Sequence, residues 1–176
     1  MSSVSANSEQ AGGRIVRVGA EDREALVEVA RMFTEYADWL AAFVTHSTIA
    51  EELASLPGPF EAPDGALFVG TDAGGRICGC VGVKRHDTGT AEIKRLYVRE
   101  PCRGTGLGRA LFSAALDAAC EMGYDAAVVS TIPSHMPAAN AMYERIGFTP
   151  TRRFEDHTHA EVEIRYLRLD LGDWCP

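Results

Sequence analysis

A chain of 176 residues, 46% hydrophobic and 24% charged, has the balance of one globular domain with its own core, which sets aside disordered and fibrous classes. A formal net charge of −8 argues against nucleic acid as a main partner, because phosphate binding needs surplus Lys and Arg. No apolar run approaches the length of a membrane span, and the Ser- and Ala-rich start lacks the greasy stretch of a secretory signal.

Residues 1–13 read as a mobile tail, 14–172 as one domain and 173–176 as a short C-terminal tail. Residues 14–18 alternate apolar and polar and can open a sheet. From Asp22 the period becomes helical, with Leu26, Val29, Ala30 and Phe33 on one face; a second helical stretch is expected over 39–56, with a break near 45–47. Pro57, Gly58, Pro59, Pro63 and Gly65 mark a loop. Strands over 66–71, 76–86 and 90–98, separated by Gly-containing turns, give an antiparallel meander. Leu107, Leu111, Ala114 and Ala118 trace a helix ending near Gly123, followed by a short strand over 126–130. Pro137 suits the first turn of a helix that Gly147 stops, and 148–152 and 162–170 are the last two strands. The fold class is α/β.

The cysteines are Cys78, Cys80, Cys102, Cys120 and Cys175. They form no C-x-x-C pair and have no His at ligand spacing, so reduced thiols of a cytoplasmic protein, and no metal, are the reading. Cys102 adjoins the main motif and is taken as inert.

That motif is Arg103-Gly104-Thr105-Gly106-Leu107-Gly108-Arg109, between a strand and an amphipathic helix. Alternate glycines let backbone approach a ligand where side chains would block it, and the helix start adds unpaired amides and a positive dipole end. Arg103 and Arg109 bring charge and forked donors, and Lys94, Arg95 and Arg99 are expected to gather around the same loop. The segment suits a phosphate or diphosphate. A Walker loop is excluded because no Lys followed by Ser or Thr is present, and a G-x-G-x-x-G fingerprint because positions 109 and 111 are Arg and Leu.

Residues 103–108 resemble the [Q/R]-x-x-G-x-[G/A] acetyl-CoA signature of the GCN5-related N-acetyltransferase (GNAT) family, after Glu92-Ile93-Lys94-Arg95-Leu96-Tyr97-Val98 at the usual distance. Tyr143-Glu144-Arg145-Ile146-Gly147-Phe148 resembles the family's closing Y-x-x-x-G-F, with Ala139 and Met142 at its earlier Ala and Leu positions. The resemblance covers roughly residues 14–171. It implies the GNAT fold, a mixed and mostly antiparallel central sheet flanked by helices, and transfer of acetyl from acetyl-CoA to an amine by direct attack.

Several site expectations follow from it. The strand before the loop carries a bulge whose backbone, at Leu96, Tyr97 and Val98, serves the pantetheine arm and the thioester carbonyl. Independently, Ala91 and Ile93 are apolar at odd positions but Leu96 and Val98 at even ones, so one extra residue near Lys94 or Arg95 would align them, although a strand buried on both faces gives the same pattern. The cradle comprises Arg103, Gly104, Thr105, Gly106, Leu107, Gly108 and Arg109. Glu92 is the candidate base, against an ordinary ion pair; Tyr143 is the candidate acid for the thiolate, against a core-filling role. Many members have Asn seven residues before this Tyr, where this chain has Met136; Asn140 does not inherit the role by letter alone.

The acceptor side is expected from the first two helices and loop 154–161, with Trp39, Phe43, His46, His157 and His159 as candidate lining. A small amine is the first reading of the acceptor, a protein Lys or N-terminus the second, and a non-catalytic acyl-CoA-binding module the third. The resemblance also allows a homodimer.

Overall fold

A computed structural model describes residues 13–44, 48–155 and 162–175. Strand β1 (Ile15–Val18) leads to α1 (Arg23–Leu40) and α2 (Ile49–Ser55), then to the meander β2 (Ala66–Thr71), β3 (Ile77–Asp87) and β4 (Thr90–Val98). Helix α3 (Leu107–Glu121), β5 (Ala126–Thr131), α4 (Pro137–Ile146), β6 (Thr149–Pro150) and β7 (Arg165–Asp170) complete the order. The seven strands form one sheet, β1-β2-β3-β4-β5-β7-β6, in which β4–β5 is the parallel pair and the other neighbours are antiparallel. The expected mixed, mostly antiparallel sheet with helices on both faces is what forms.

Two apolar layers hold the helices. Leu111, Phe112, Ala115 and Leu116 of α3 pack with Tyr143 of α4 against Val81, Val83, Ala91 and Ile93. On the other face, Val29, Met32 and Phe33 of α1 and Ile49 of α2 pack with Phe60 against Leu67, Val69 and Cys80. Central strands are therefore buried on both sides, and burying each large side chain contributes about 1.5–3 kcal/mol.

Three expected boundaries move. The apolar stripe of α1 continues from Val29 through Met32, Phe33 and Tyr36 to Leu40, so Trp39 belongs to that helix and the second one begins only at Ile49. Strand β6 spans two residues rather than 148–152, because Phe148 is drawn into the ring cluster of Phe112 and Tyr143. Strand β7 begins at Arg165 rather than 162, since Val162 and Ile164 pack on the α1 side instead of extending the ladder.

The C-terminal end also departs from expectation. Cys120 is bonded to Cys175, so the reading of five reduced thiols is corrected for this pair; Cys78, Cys80 and Cys102 are free and buried. Trp174 donates from Nε1 to Asp117 Oδ1 at 2.9 Å, which docks residues 174–175 on α3 rather than leaving a tail. The two cysteines are 55 residues apart, and only the return of β7 beside β5 brings them together. Among the described residues, no helix is long and apolar enough to cross a membrane.

Candidate active site

The site starts from an irregularity in β4. Gly82 pairs with Lys94 and Cys80 with Tyr97, so Val81 stands opposite both Arg95 and Leu96. Arg95 adopts φ 59°, the left-handed region, and its carbonyl accepts from Cys80 Sγ at 3.5 Å. This is the expected bulge. Leu96 and Val98 thereby join Ala91 and Ile93 on the α3 face, while Tyr97 turns to the α1 face, 6.2 Å from the Tyr36 ring.

The bulge coincides with an opening in the sheet. Parallel pairing of β4 with β5 covers Thr90–Ala126, Ala91–Ala127 and Glu92–Val128 and then stops, although both strands continue. Past Glu92 the β4 backbone faces a gap in place of a partner, and its polar groups there need other hydrogen bonds.

At the far end of β4 lies the glycine loop. Gly104 and Gly106 have φ of 75° and 89°, and a Cβ at either would meet no atom within 4 Å. The loop is thus open towards solvent where a ligand would lie. Gly106 caps α3 without a side-chain hydrogen bond, leaving the first-turn amides of Leu107, Gly108 and Arg109 available. Thr105 Oγ1 donates to the Cys102 carbonyl at 2.7 Å and Arg103 Nε to the Val98 carbonyl at 2.8 Å, bracing the loop against the strand end. The Arg103 guanidinium also lies 5.9 Å from the Tyr97 ring centre. Leu107 is buried, so only its backbone is available at the loop surface.

The expected ring of cations is corrected. Arg103 and Arg109 are exposed at the loop, but Arg95 bonds Glu52 of α2 at 2.6 and 3.1 Å, and Arg99 bonds Glu35 and Glu28 of α1 at 2.8 and 3.0 Å. Lys94 pairs with Glu92 and Glu155. These three lash helices and loop to the acceptor side; buried or half-buried carboxylates capture them more strongly than solvent does.

Glu92 is 3% exposed on β4. Its Oε1 lies 3.1 Å from Lys94 Nζ and its Oε2 3.6 Å from Lys84 Nζ. The Lys94 contact is a close charge pair without hydrogen-bond alignment, so Oε1 is buried and unpartnered among the described residues. Burial first, then the hydrogen bond and negative charge of Glu155, push the Glu92 carboxyl up to about 7 against the pull of the lysines. Glu155 is held by Lys94 and by Ser130 Oγ at 3.1 Å.

A cavity of about 520 Å³ opens beside Glu92, walled by Tyr36, Leu40 and Val44 from the α1 side, Lys84 and His86 from β3, and Phe154 and Glu155. Met136 also lines it, accepting at Sδ from Thr131 Oγ1 at 3.9 Å. Trp39 and Phe43 are not wall residues; they stack from Tyr36 towards His135 at 5.7, 5.4 and 3.9 Å and build an aromatic rim. His46, His157 and His159 lie outside the described residues. Lys84 and Glu155 were missed from sequence, though the pairing of a Lys on one hairpin strand with a Glu on the other is a signal that register could have supplied.

Tyr143 stands outside that wall, on the α3 side of the sheet. Its ring packs 4.9 Å from Phe112 and 5.7 Å from Phe148, and burial raises its hydroxyl above the ordinary tyrosine value, keeping it protonated. The core role is therefore real, and it leaves the hydroxyl available as a donor. Nearby, Asn140 donates to Glu144 at 2.9 Å, and its buried Oδ1 has no hydrogen-bond partner among the described residues; Met136, at the family's Asn position, precedes the same helix.

An extended thioester with a diphosphate fits these features: open glycines at one end, an unpaired strand edge along the middle, and the cavity beside Glu92 at the other. Comparisons agree. The Acetyltransferase (GNAT) family profile matches residues 24–148. An uncharacterised N-acetyltransferase of Schizosaccharomyces pombe is 31% identical over 140 residues, 78% of this chain and 83% of that one. N-acetylaspartate synthetase of Danio rerio is 31% identical over 108 residues, 61% of this chain but 38% of its own length. Among solved structures, one from Salmonella typhimurium with its cofactor acetyl-CoA matches at TM-score 0.67 and 19% identity, over 90% of this chain and 94% of that one. Spermidine N-acetyltransferase of Vibrio cholerae, with CoA and spermine, matches at TM-score 0.67 and 14% identity, over 92% and 97%.

Proposed function

The chain belongs to the GNAT acetyltransferase family, and we propose that it transfers acetyl from acetyl-CoA to the primary amine of a small molecule by direct attack. The observation that carries this reading is the bulge at Arg95 beside the β4–β5 gap, which leaves backbone donors free between the loop and the Glu92 cavity.

Acetyl-CoA supplies an acyl group activated as a thioester. Amides of residues 104–109, with Arg103 and Arg109, hold its diphosphate; no rigid side chain intrudes, and the helix dipole adds favourable potential. Backbone groups at Leu96, Tyr97 and Val98 bind the arm and polarise the carbonyl as negative charge develops on its oxygen. Glu92 takes a proton from the incoming ammonium, whose ordinary value near about 10.4 would otherwise keep it charged. The neutral nitrogen forms the new C–N bond as the C–S bond breaks. Tyr143 gives its proton to the departing thiolate and recovers one from the attacking nitrogen, and Glu92 passes the ammonium proton to solvent, so charge and protons balance.

A cavity of about 520 Å³ has room for a small acceptor. Relatives named for N-acetylaspartate and for spermidine offer two kinds of small amine. Calorimetric titration with acetyl-CoA should show binding that weakens about tenfold or more when Arg103 and Arg109 both become Ala, since each would contribute a charge-assisted contact. Unchanged affinity would remove the cradle assignment. Thiol release with an amine panel tests the transfer itself.

A further inference from the structure

Lys84 and Glu92 are register partners across the β3–β4 ladder, so both side chains leave the sheet on the cavity face. Lys84 is 23% exposed and reaches Glu92 Oε2 at 3.6 Å, beyond hydrogen-bond distance. It is a cation at the cavity wall held only loosely. Arg95, by contrast, is committed to Glu52 and Thr48, and Lys94 to Glu92 and Glu155.

Among the described wall residues, Lys84 and Lys94 face Glu51, Glu92 and Glu155, while Arg95 is neutralised by Glu52 behind the wall, which leaves a single carboxylate in excess. A site for a bare polycation needs a larger excess, one carboxylate for each ammonium. Here an ammonium entering beside Glu92 also approaches two lysines, and repulsion offsets what Glu92 gains. An anion carried by the acceptor itself removes that penalty. In an amino acid the nitrogen and the carboxylate oxygens lie about 3 Å apart, a spacing close to the 3.6 Å between Glu92 and Lys84. Such a molecule exchanges one long internal ion pair for two short ones.

Resting on the acetyltransferase reading above, we infer that the acceptor is an amino acid, its amine received by Glu92 and its carboxylate by Lys84. The wall then acts as a selector: Lys84 favours amines with an adjacent carboxylate and disfavours polyamines.

The test is thiol release from acetyl-CoA with the common amino acids, their α-amides, their decarboxylated amines, and spermidine. The best amino acid should exceed its own amide and decarboxylated amine about tenfold or more in kcat/KM, the worth of one charge-assisted hydrogen bond. Lys84→Met should shrink that ratio to within about twofold, chiefly through KM for the acid, and Lys84→Arg should keep it. Acetyl-CoA titration reports that each variant is folded. Amides or plain amines used equally well, spermidine used best, or a ratio that survives Lys84→Met would overturn the inference while leaving the acetyltransferase reading intact. No thiol release from any acceptor, with acetyl-CoA still bound, would overturn both.

Discussion

In the proposed mechanism, Glu92 and Tyr143 divide the acid–base work by environment. Burial and Glu155 lift the Glu92 carboxyl to about 7, so above that pH it is ionised and able to accept a proton, and below it is protonated and idle. Activity is therefore expected to fall as pH drops through about 7, read from the acidic limb of kcat/KM against pH. Glu155→Gln removes both of its raising effects, so that limb should move to lower pH; a limb that stays put would show that Glu155 merely supports the loop. For Tyr143 the hydroxyl is the only group a Phe replacement removes, and the ring cluster with Phe112 and Phe148 persists. Tyr143→Phe should lower kcat about 100-fold with little change in acetyl-CoA affinity. Wild-type turnover in that variant would return Tyr143 to packing alone.

Among the elements, the bulge in β4 has three consequences. It turns Leu96 and Val98 onto the core and leaves a gap beside β5, and it sends the Arg95 side chain to α2. Arg95 and Glu52 are both nearly inaccessible, and Thr48 accepts a further bond at 3.0 Å, so α2 is pinned to the bulge by a buried ion pair. Removing one partner strands a charge in low dielectric. Glu52→Ala should cost about 3–5 kcal/mol in denaturant unfolding, whereas exposed pairs such as Arg165–Glu163 should cost under about 1 kcal/mol when broken. Helix α1 is held similarly by Arg99, half-buried between Glu28 and Glu35. The cavity wall is therefore anchored to β4, the strand that carries the bulge, and to its end.

For the whole molecule, the Cys120–Cys175 bond ties the chain end to α3 and closes a loop spanning 55 positions. A loop of that size contributes about 2–4 kcal/mol by restricting the unfolded chain. Cys175→Ser, or a reductant, should lower Tm while acetyl-CoA binding at moderate temperature persists; an unchanged Tm would mean that the thiols are not bonded in solution. The sequence by itself determined the element order, the glycine loop and even the bulge, because each is written in local spacing: period 3.6 or 2, alternate glycines, and a slip of one residue between Ile93 and Leu96. It also singled out Glu92 and Tyr143 as candidates, through flanking motifs of a few residues each. Only the tertiary structure decided where Lys94, Arg95 and Arg99 point, since burial against Glu155, Glu52, Glu28 and Glu35 outcompetes the loop for their charge. The same holds for the disulfide, whose cysteines stand 55 residues apart. These are contacts between segments distant in the chain, and their energies depend on sheet register and burial, which no local pattern of residues encodes.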